Sequence, residues 1–212
     1  MATKRDKWED IFRALNIDGT KPVEYVTASQ IKQTVHEEPR LMASMLSEDK
    51  RPKIFRDLGV FILPVSSDKY AIVHGNGYHE LEDPGQPRKF QARFPFEMVM
   101  LAFGMGETRY LLHAYHSGLL NHFSGAAQMF ETMSGKGRTG NFEFRVDGSP
   151  AIQVKGAGME VDKGFESPTE MLLFEAKAFR PKTFLIRQLY YPYRVASDFA
   201  DKTVRAFFFV AV

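Results

Sequence analysis

The stretch MLLFEAKAFRPKTFLIRQLYYPYR, residues Met171 to Arg194, carries the main fold signal of this 212-residue chain. It begins with four apolar residues, Met171 to Phe174, which is typical of a buried β-strand. Glu175 and Lys177 follow directly. Because side chains i and i+2 of a strand lie on the same face, the two charges are expected to project together. The sequence therefore predicts a carboxylate and an ammonium group side by side at the end of a hydrophobic strand.

A second acidic strand precedes this one. GMEVDKGF carries Asp162 near the end of a period-two pattern, with Glu160 on the same face two residues earlier. If the two strands pair as a hairpin through Ser167-Pro168-Thr169, Asp162 and Glu175 approach each other. Two carboxylates at one site repel unless a cation lies between them, and such oxygen ligands suit Mg²⁺, which also binds phosphate oxygens. Lys177 would then position or activate the attacking water and stabilise negative charge on the phosphorane.

The composition is that of an ordinary soluble globular protein. Hydrophobic residues make up 44% and charged residues 25% of the chain. No apolar run approaches the roughly 18 residues that span a bilayer, and MATKRDKWEDIF lacks the apolar centre of a secretory signal. The absence of cysteine excludes disulfides and thiolate metal sites. These features predict a cytoplasmic protein without a membrane partner.

The net charge of +2 is too small to indicate nucleic acid by itself, but the charges are unevenly distributed. The segment from Ala176 to Arg194 contains no acid and five cations, which are Lys177, Arg180, Lys182, Arg187 and Arg194. This local positive field would attract a polyanion to the Glu175 region. A solvated basic face is the alternative interpretation.

The first 80 residues are predicted to form a small domain of helices followed by a hairpin. A helix-cap pattern begins at Thr27, and the apolar runs VFILPV and KYAIVHG are separated by a turn. The helices are expected at Trp8 to Ile17, from Thr27, at Arg40 to Ser47 and at Pro52 to Leu58. This order is that of a winged-helix module, so residues 1–80 are predicted to bind DNA or to pack against the rest.

The remaining chain, residues 81–212, follows a linker-like segment, ELEDPGQPRKF. GETRYLLHAYHSGLLNHFSG predicts one helix that ends at Gly125, and SGKGRTG (Ser134 to Gly140) predicts a flexible basic loop. Lys136, Arg138 and backbone N–H groups of this loop are candidates for phosphate contacts. Three strands are then expected in NFEFRVDG, AIQVKGAGMEVDKG and TEMLLFEAKAF. A helix from Lys182 to about Tyr191 and a terminal strand, VRAFFFVAV, complete the prediction.

These motifs together resemble a known group of enzymes. Asp162 followed by Glu175-x-Lys177 resembles the PD-(D/E)XK nuclease motif, although Val161 stands where the motif has proline. MEVDKGFES, LLFEAKAF and FLIRQLYYPYR, in that order, resemble the core of a group of bacterial type II restriction endonucleases. EPRLMASM, PKIFRDLGVFILPV and AYHSGLLNHFSG resemble that group's N-terminal portion. The similarity covers most of the chain, and RQLYYPYR is its most specific element.

The resemblance implies an α/β fold with a restriction-endonuclease-like core, a mixed central sheet flanked by helices, in residues 81–212. It implies that Asp162 and Glu175 bind Mg²⁺ and that Lys177 is the catalytic lysine. Gln188 would support the site, and Glu107 would be an auxiliary acid, a role for which Glu160 is also a candidate. The expected activity is site-specific hydrolysis of double-stranded DNA by a homodimer. The candidates for DNA contact are Lys136, Arg138, Arg180, Lys182 and Arg187.

Three alternatives stay open at this point. The chain is a repair or nicking nuclease with the same core, or a non-catalytic winged-helix regulator that binds DNA. In the third, Glu175 and Lys177 form only a surface ion pair, which contributes about 0–1 kcal/mol. Enzymes of the resembled group are expected to continue beyond a position such as Val212. The chain is then a compact member, a fragment, or half of an assembly whose sheet a partner completes.

Overall fold

The computed structural model of the protein describes residues 4–83, 85–86, 88–103, 106–199 and 201–211. Val212, on which the expectation of a longer chain depends, lies outside them. The chain divides into two compact units, and the first consists of Met1–Glu80, Arg138–Gly158 and Thr183–Arg187. The second consists of Leu81–Gly137, Met159–Lys182 and Gln188–Val212. The predicted domain division after residue 80 stays a prediction.

The described residues form α-helices, one short 3-10 helix at Glu48–Lys50, and strands. The α-helices are α1 (Lys4–Ala14), α2 (Ala28–Val35), α3 (Pro39–Met42), α4 (Lys53–Asp57), α5 (Val99–Phe103), α6 (Glu107–His116), α7 (Leu119–Ser124) and α8 (Arg187–Phe199). The strands are β1 (Val23–Thr27), β2 (Val60–Pro64), β3 (Lys69–His74), β4 (Tyr78–Glu80), β5 (Phe130–Arg138), β6 (Asn141–Phe144), β7 (Ile152–Lys155), β8 (Gly158–Glu166), β9 (Glu170–Lys177), β10 (Thr183–Leu185) and β11 (Thr203–Val210). Within this part of the chain, no helix has the length and apolar character that crossing a bilayer requires.

The first unit is built on an antiparallel sheet of order β1-β3-β2. The predicted hairpin of β2 and β3 is present, and β1 adds a third strand to it. Helices α1 to α4 and this sheet share one apolar core, in which the side chains of Trp8 and Phe55 are fully buried. Their ring centroids lie 4.9 Å apart in an edge-to-face arrangement. Two smaller antiparallel pairs, β6 with β7 and β4 with β10, belong to the same unit.

Local signals placed the ends of two helices correctly. The Thr27 side chain accepts a hydrogen bond from the Gln30 N–H at 3.2 Å, and the Thr27 N–H donates to Gln30 Oε1 at 2.8 Å. This reciprocal pair is the capping box predicted for α2. Pro52 stands directly before the first residue of α4, and the chain leaves that helix through Gly59 at φ 62°. The prediction of a helix over Arg40 to Ser47 is wrong, because α3 ends at Met42.

The second unit contains a mixed sheet of order β11-β9-β8-β5. Strand β9 is antiparallel to β8 and parallel to β11, so the predicted α/β class with a mixed sheet is confirmed at this level. Alternate residues of β9 face opposite sides. Leu172 and Phe174 share a core with α6 and α7, whereas Leu173 packs with Ala196 of α8. Helices therefore cover both faces of the sheet.

Two predictions failed around glycine. The single helix expected to end at Gly125 is two helices, α6 and α7, because Gly118 adopts φ 80° and interrupts the helical backbone. The loop expected over Ser134 to Gly140 is largely strand, since β5 extends to Arg138 and pairs with β8. Serine and glycine favour turns locally, but the open edge of β8 offers hydrogen bonds that override this preference.

Two further boundaries were wrong. The strand expected in AIQVKGAGMEVDKG is two strands, β7 and β8, in different sheets, because Gly156 at φ 61° ends the first. The helix expected from Lys182 begins only at Arg187, since Thr183–Leu185 forms β10 and pairs with β4. This helix also continues past Tyr191 and contains Pro192 within it.

Candidate active site

The hairpin of β8 and β9 brings Asp162 to the end of β9. The strands pair antiparallel from Lys163–Phe174 to Glu166–Met171, and the Ser167 N–H closes the turn on the carbonyl of Glu170 at 2.9 Å. Beyond this ladder, the Ala176 N–H donates to Asp162 Oδ2 at 2.7 Å. The carboxylate therefore accepts from the backbone of the residue between Glu175 and Lys177. The predicted turn and the approach of the two strand ends are both observed.

Two side chains donate hydrogen bonds to Glu175 Oε1. Lys177 Nζ lies 2.6 Å from Glu175 Oε1 and 2.7 Å from the carbonyl oxygen of Ala176. The Gln188 side-chain amide, from the first turn of α8, also donates to Glu175 Oε1. Glu175 is only 7% exposed, so the alternative of a surface ion pair is wrong. This cluster is a buried polar group on an otherwise apolar strand.

The environment of Glu175 disfavours its ionised form. Burial is the largest influence and raises the pKa of Glu175 above its ordinary value, and the nearby carboxylates of Asp162 and Glu107 raise it further. The hydrogen bond and the positive charge of Lys177 oppose this shift without cancelling it. A carboxyl group whose charge is destabilised by burial and by neighbouring acids is the kind of group that a bound cation would stabilise.

The two candidate auxiliary acids differ in their placement. Glu107 begins α6, and its Oε1 lies 3.9 Å from Lys177 Nζ, at the limit of an ion pair. Glu160 is exposed on β8, and its side chain makes no hydrogen bond or ion pair with any other described residue. The structure therefore brings Glu107 to the cluster and leaves Glu160 outside it.

The oxygen atoms present fit a hard divalent cation. Asp162 and Glu175 supply carboxylates, and the Ala176 carbonyl lies beside them. Gln188 Oε1 is buried in the same place without a hydrogen-bond partner among the described residues. Carboxylate, carbonyl and amide oxygens are the ligands that Mg²⁺ prefers. No group of three histidine, cysteine, aspartate or glutamate side chains suited to a metal occurs in the part of the chain that the structure covers.

One neighbour of the cluster was missed by sequence reasoning. Strand β11 pairs with β9 so that Phe208 lies opposite Glu175, and Lys177 Nζ is 5.9 Å from the centre of the Phe208 ring. The apolar run at the end of the sequence indicated a strand but gave no sign of its partner, so the ring could not be assigned to this site.

The predicted DNA-contacting cations of the second unit lie at its surface. Lys136 is exposed on β5, and its side chain makes no hydrogen bond or ion pair to another described residue. Lys182 is also exposed, directly before β10. Arg180 is exposed, and its guanidinium donates to the carbonyl oxygens of Leu81, at 3.1 Å, and Glu82. Lys136 and Lys182 are therefore more available than Arg180 for an external anion.

The other two cations belong to the first unit and contact backbone carbonyls there. Arg138 is exposed and donates to the carbonyl oxygen of Gly156 at 3.0 Å. Arg187 is half-buried and donates to that of Gly158 at 3.3 Å. These bonds give both guanidinium groups a structural role in addition to the predicted one.

Comparisons with known proteins identify families without a described activity. Residues 73–212 match the family described as Domain of unknown function (DUF6997), and the chain belongs to this family. Residues 5–72 match a second one, described as Domain of unknown function (DUF6996). No curated protein and no solved structure matches the chain. The two families meet within β3, which lies inside the first structural unit.

Proposed function

We propose that this protein is a magnesium-dependent endonuclease that hydrolyses phosphodiester bonds in double-stranded DNA, and that it acts in the cytoplasm as a type II restriction enzyme. The observation that carries the proposal is the convergence of Asp162, Glu175 and Lys177 at one end of the β8–β9 hairpin. The mixed sheet with helices on both faces supports a restriction-endonuclease-like core. An isolated Asp…Glu-x-Lys pattern recurs by chance. Chance spacing does not explain a buried Glu175 bonded to Lys177, with Asp162 bonded to the backbone between them.

The residues have separate roles in this reaction. Asp162 and Glu175 would hold Mg²⁺, which when bound supplies positive charge to the scissile phosphate and lowers the pKa of a bound water. Lys177 carries an ammonium group beside both strand ends, where it orients the attacking water and stabilises the negative charge that develops on phosphate. Gln188 holds the Glu175 carboxylate in place from α8. Glu107 balances the charge of Lys177 from the other side.

Substrate binding in this proposal uses exposed cations. Lys136, on the outer strand β5, would contact the DNA backbone, and Arg138, Arg180, Lys182 and Arg187 are further candidates. The first unit supports DNA recognition, because its order of helices and its β1-β3-β2 sheet resemble a winged-helix arrangement. Cleavage of both strands requires two active sites, so the working form is proposed to be a homodimer.

A plasmid assay tests the proposal. Purified protein with Mg²⁺ should cut supercoiled plasmid, and EDTA should stop the reaction by removing the cation. Calcium should support binding with little cleavage, since its looser coordination positions water and phosphate poorly. A fixed set of fragments with uniform sequenced ends would identify restriction, whereas nicks or smears would identify a repair or nicking nuclease. Binding with no cleavage under any divalent cation would contradict nuclease activity.

The same winged-helix-like arrangement favours a second candidate, a DNA-binding regulator without catalysis. This function requires only the first unit to contact DNA. The two candidates differ in their response to Asp162→Asn, because a regulator would bind and act unchanged. The regulator would be supported if the protein binds DNA but neither the wild type nor any variant cleaves it with any divalent cation.

A further inference from the structure

The second unit carries a short stretch that is rich in exposed apolar side chains, which we call the apolar segment. It consists of Phe90, Phe94, Phe96, Val99, Met100 and Phe103. Met100 is 81% exposed and Phe103 is 72% exposed, although both lie on the short helix α5. Singly exposed apolar residues are common, but six large ones within one short stretch are not. A surface of this kind indicates a binding partner.

The apolar segment is held against folded structure. The Phe94 ring lies 6.2 Å from that of His113 on α6, and the Phe90 ring lies 5.3 Å from that of His122 on α7. The Arg93 N–H donates to the carbonyl oxygen of Ser117 at 3.0 Å. Helices α6 and α7 in turn pack on the central sheet. The exposed side chains are therefore presented on a folded support.

The exposed area matches the need of a dimer. With a full side chain of this size presenting about 150–250 Å², the six exposed fractions together leave roughly 700 Å² of apolar surface in water. The largest apolar patch of a typical monomer is about 300–600 Å². A standard interface buries about 800 Å² on each partner. The apolar segment could thus supply most of one half of a stable interface.

The charges of the segment favour self-association. Arg93 and Glu97 are the charged residues between Phe90 and Phe103, so the stretch has no net charge. In a twofold contact the same surface meets itself, and a charged surface would repel its copy. Arg93 and Glu97 instead allow opposite charges to face each other across the axis. We propose that the apolar segment is the contact surface between two copies of this chain.

This inference deepens the proposed function, and the part that concerns two-strand cleavage rests on it. Dimerisation itself can be tested independently, because it is measured as the molecular mass in solution. Sedimentation equilibrium over a range of concentrations should show a dimer of the wild-type chain. Met100→Glu combined with Phe103→Glu should weaken dimerisation at least 100-fold, because each contact would bury unpaired charge. Leu41→Glu changes an apolar residue of the first unit that is 67% exposed, and it should leave the dimer intact.

Cross-linking gives a second test that keeps the surface apolar. The chain has no cysteine, so Met100→Cys and Phe103→Cys each introduce a single reporter thiol. Mild oxidation should yield disulfide-linked dimers of at least one of these variants and none of Leu41→Cys. If the wild-type chain is monomeric at every concentration, the inference is overturned. This holds even if the chain binds lipid vesicles, because the apolar segment would then contact a membrane and not a second copy. A dimer that survives the double glutamate change, or that cross-links at neither position, would overturn it as well.

The cleavage assay separates the two proposals. If the chain is a nuclease and the apolar segment is its dimer contact, the double glutamate variant should nick plasmid and lose coordinated double-strand cuts. A dimeric protein without nuclease activity would contradict the proposed function alone. If the protein is a nuclease and the double glutamate variant still forms the dimer, only this inference would be contradicted.

Discussion

Both units of the protein have an apolar core, but the second unit also buries a carboxyl group. The core of the first unit is built from aromatic and aliphatic groups, and the ring of Phe55 packs against those of Trp8 and Phe12 at centroid distances of 4.9 and 5.3 Å. The second unit buries Glu175 and Gln188 beside its apolar core, and both Lys177 and Gln188 donate to Glu175. One arrangement removes apolar surface from water, whereas the other removes charge from water.

This difference has opposite energetic consequences. Burial of apolar surface stabilises a fold by about 25 cal/mol for each Å². Burial of a carboxyl group costs free energy unless partners compensate, and here the pKa of Glu175 is raised despite Lys177. A site that is retained at a cost in stability is a candidate for chemistry. The first unit should therefore respond to mutation mainly in stability, and the Glu175 cluster mainly in activity.

The largest effect is expected at the cluster. Asp162→Asn keeps an oxygen that can accept from the Ala176 N–H but removes the charge that would bind Mg²⁺. Lys177→Ala removes the cation beside the proposed scissile phosphate. Each change should lower plasmid cleavage by about 10²- to 10⁴-fold or more, as expected when a metal ligand or a catalytic proton-transfer group is lost. Cleavage rates and DNA affinity should be measured in parallel, and affinity should survive.

Glu160→Gln is the matched control, because Glu160 is a carboxylate on the same strand as Asp162 but lies outside the cluster. It should cut at the wild-type rate. Full cleavage by both Asp162→Asn and Lys177→Ala would exclude this site from catalysis and would remove the contrast between the two units.

The next largest effect is expected in the core of the first unit. Phe55→Ala leaves a cavity against the rings of Trp8 and Phe12, and it should lower the free energy of unfolding by about 3–5 kcal/mol. Urea denaturation measures this change. Leu41→Ala, which removes a 67% exposed side chain, should change the same quantity by less than about 0.5 kcal/mol. Equal losses for the two variants would show that the core assignment is wrong.

A smaller effect is expected at the start of α2. Thr27→Ala removes the side-chain acceptor for the Gln30 N–H, and should destabilise the first unit by about 1 kcal/mol. Thr27→Ser keeps the hydroxyl and should restore most of the loss. Thermal or urea unfolding of both variants tests the cap, and a serine variant as unstable as the alanine variant would argue that the methyl group, and not the hydrogen bond, matters.

The smallest effect concerns an ion pair of the second unit. Hydrogen bonds from Lys202 and then Thr132 lower the pKa of Glu166 below its ordinary value. Because the folded-state pKa is depressed, the stabilisation is present above the unfolded pKa near 4.5 and is lost as pH falls through the folded value. The group is partly exposed, so Glu166→Gln should cost less than about 1 kcal/mol at pH 7.

Unfolding by urea at pH 7 and near pH 3 measures this dependence. The gap between wild type and Glu166→Gln should narrow at the lower pH, because protonation of the carboxyl group removes its stabilising contribution. Glu160→Gln should show no such gap at either pH. A gap that widens with acid would mean that the sign of the pKa shift is wrong.

Short-range features were determined by the sequence itself. The capping box at Thr27 depends on residues three positions apart, and the pairing of Glu175 with Lys177 depends on residues two positions apart on a strand. The approach of Asp162 to this pair required only a tight turn at Ser167. Each of these contacts follows from backbone geometry that a short stretch of chain adopts whatever lies around it.

The tertiary structure alone decided the rest. Gln188 reaches Glu175 because α8 packs on the same face of the sheet. Phe208 lies opposite Glu175 because β11 pairs in parallel with β9. Glu107 of α6 lies near Lys177 of β9, a contact between two elements far apart in sequence. The glycine-rich stretch around Lys136 became an edge strand because β8 had unpaired backbone groups to satisfy. Which elements pair depends on the relative free energies of all the possible pairings. Those free energies arise from contacts throughout the fold, so they cannot be read from a local pattern of residues.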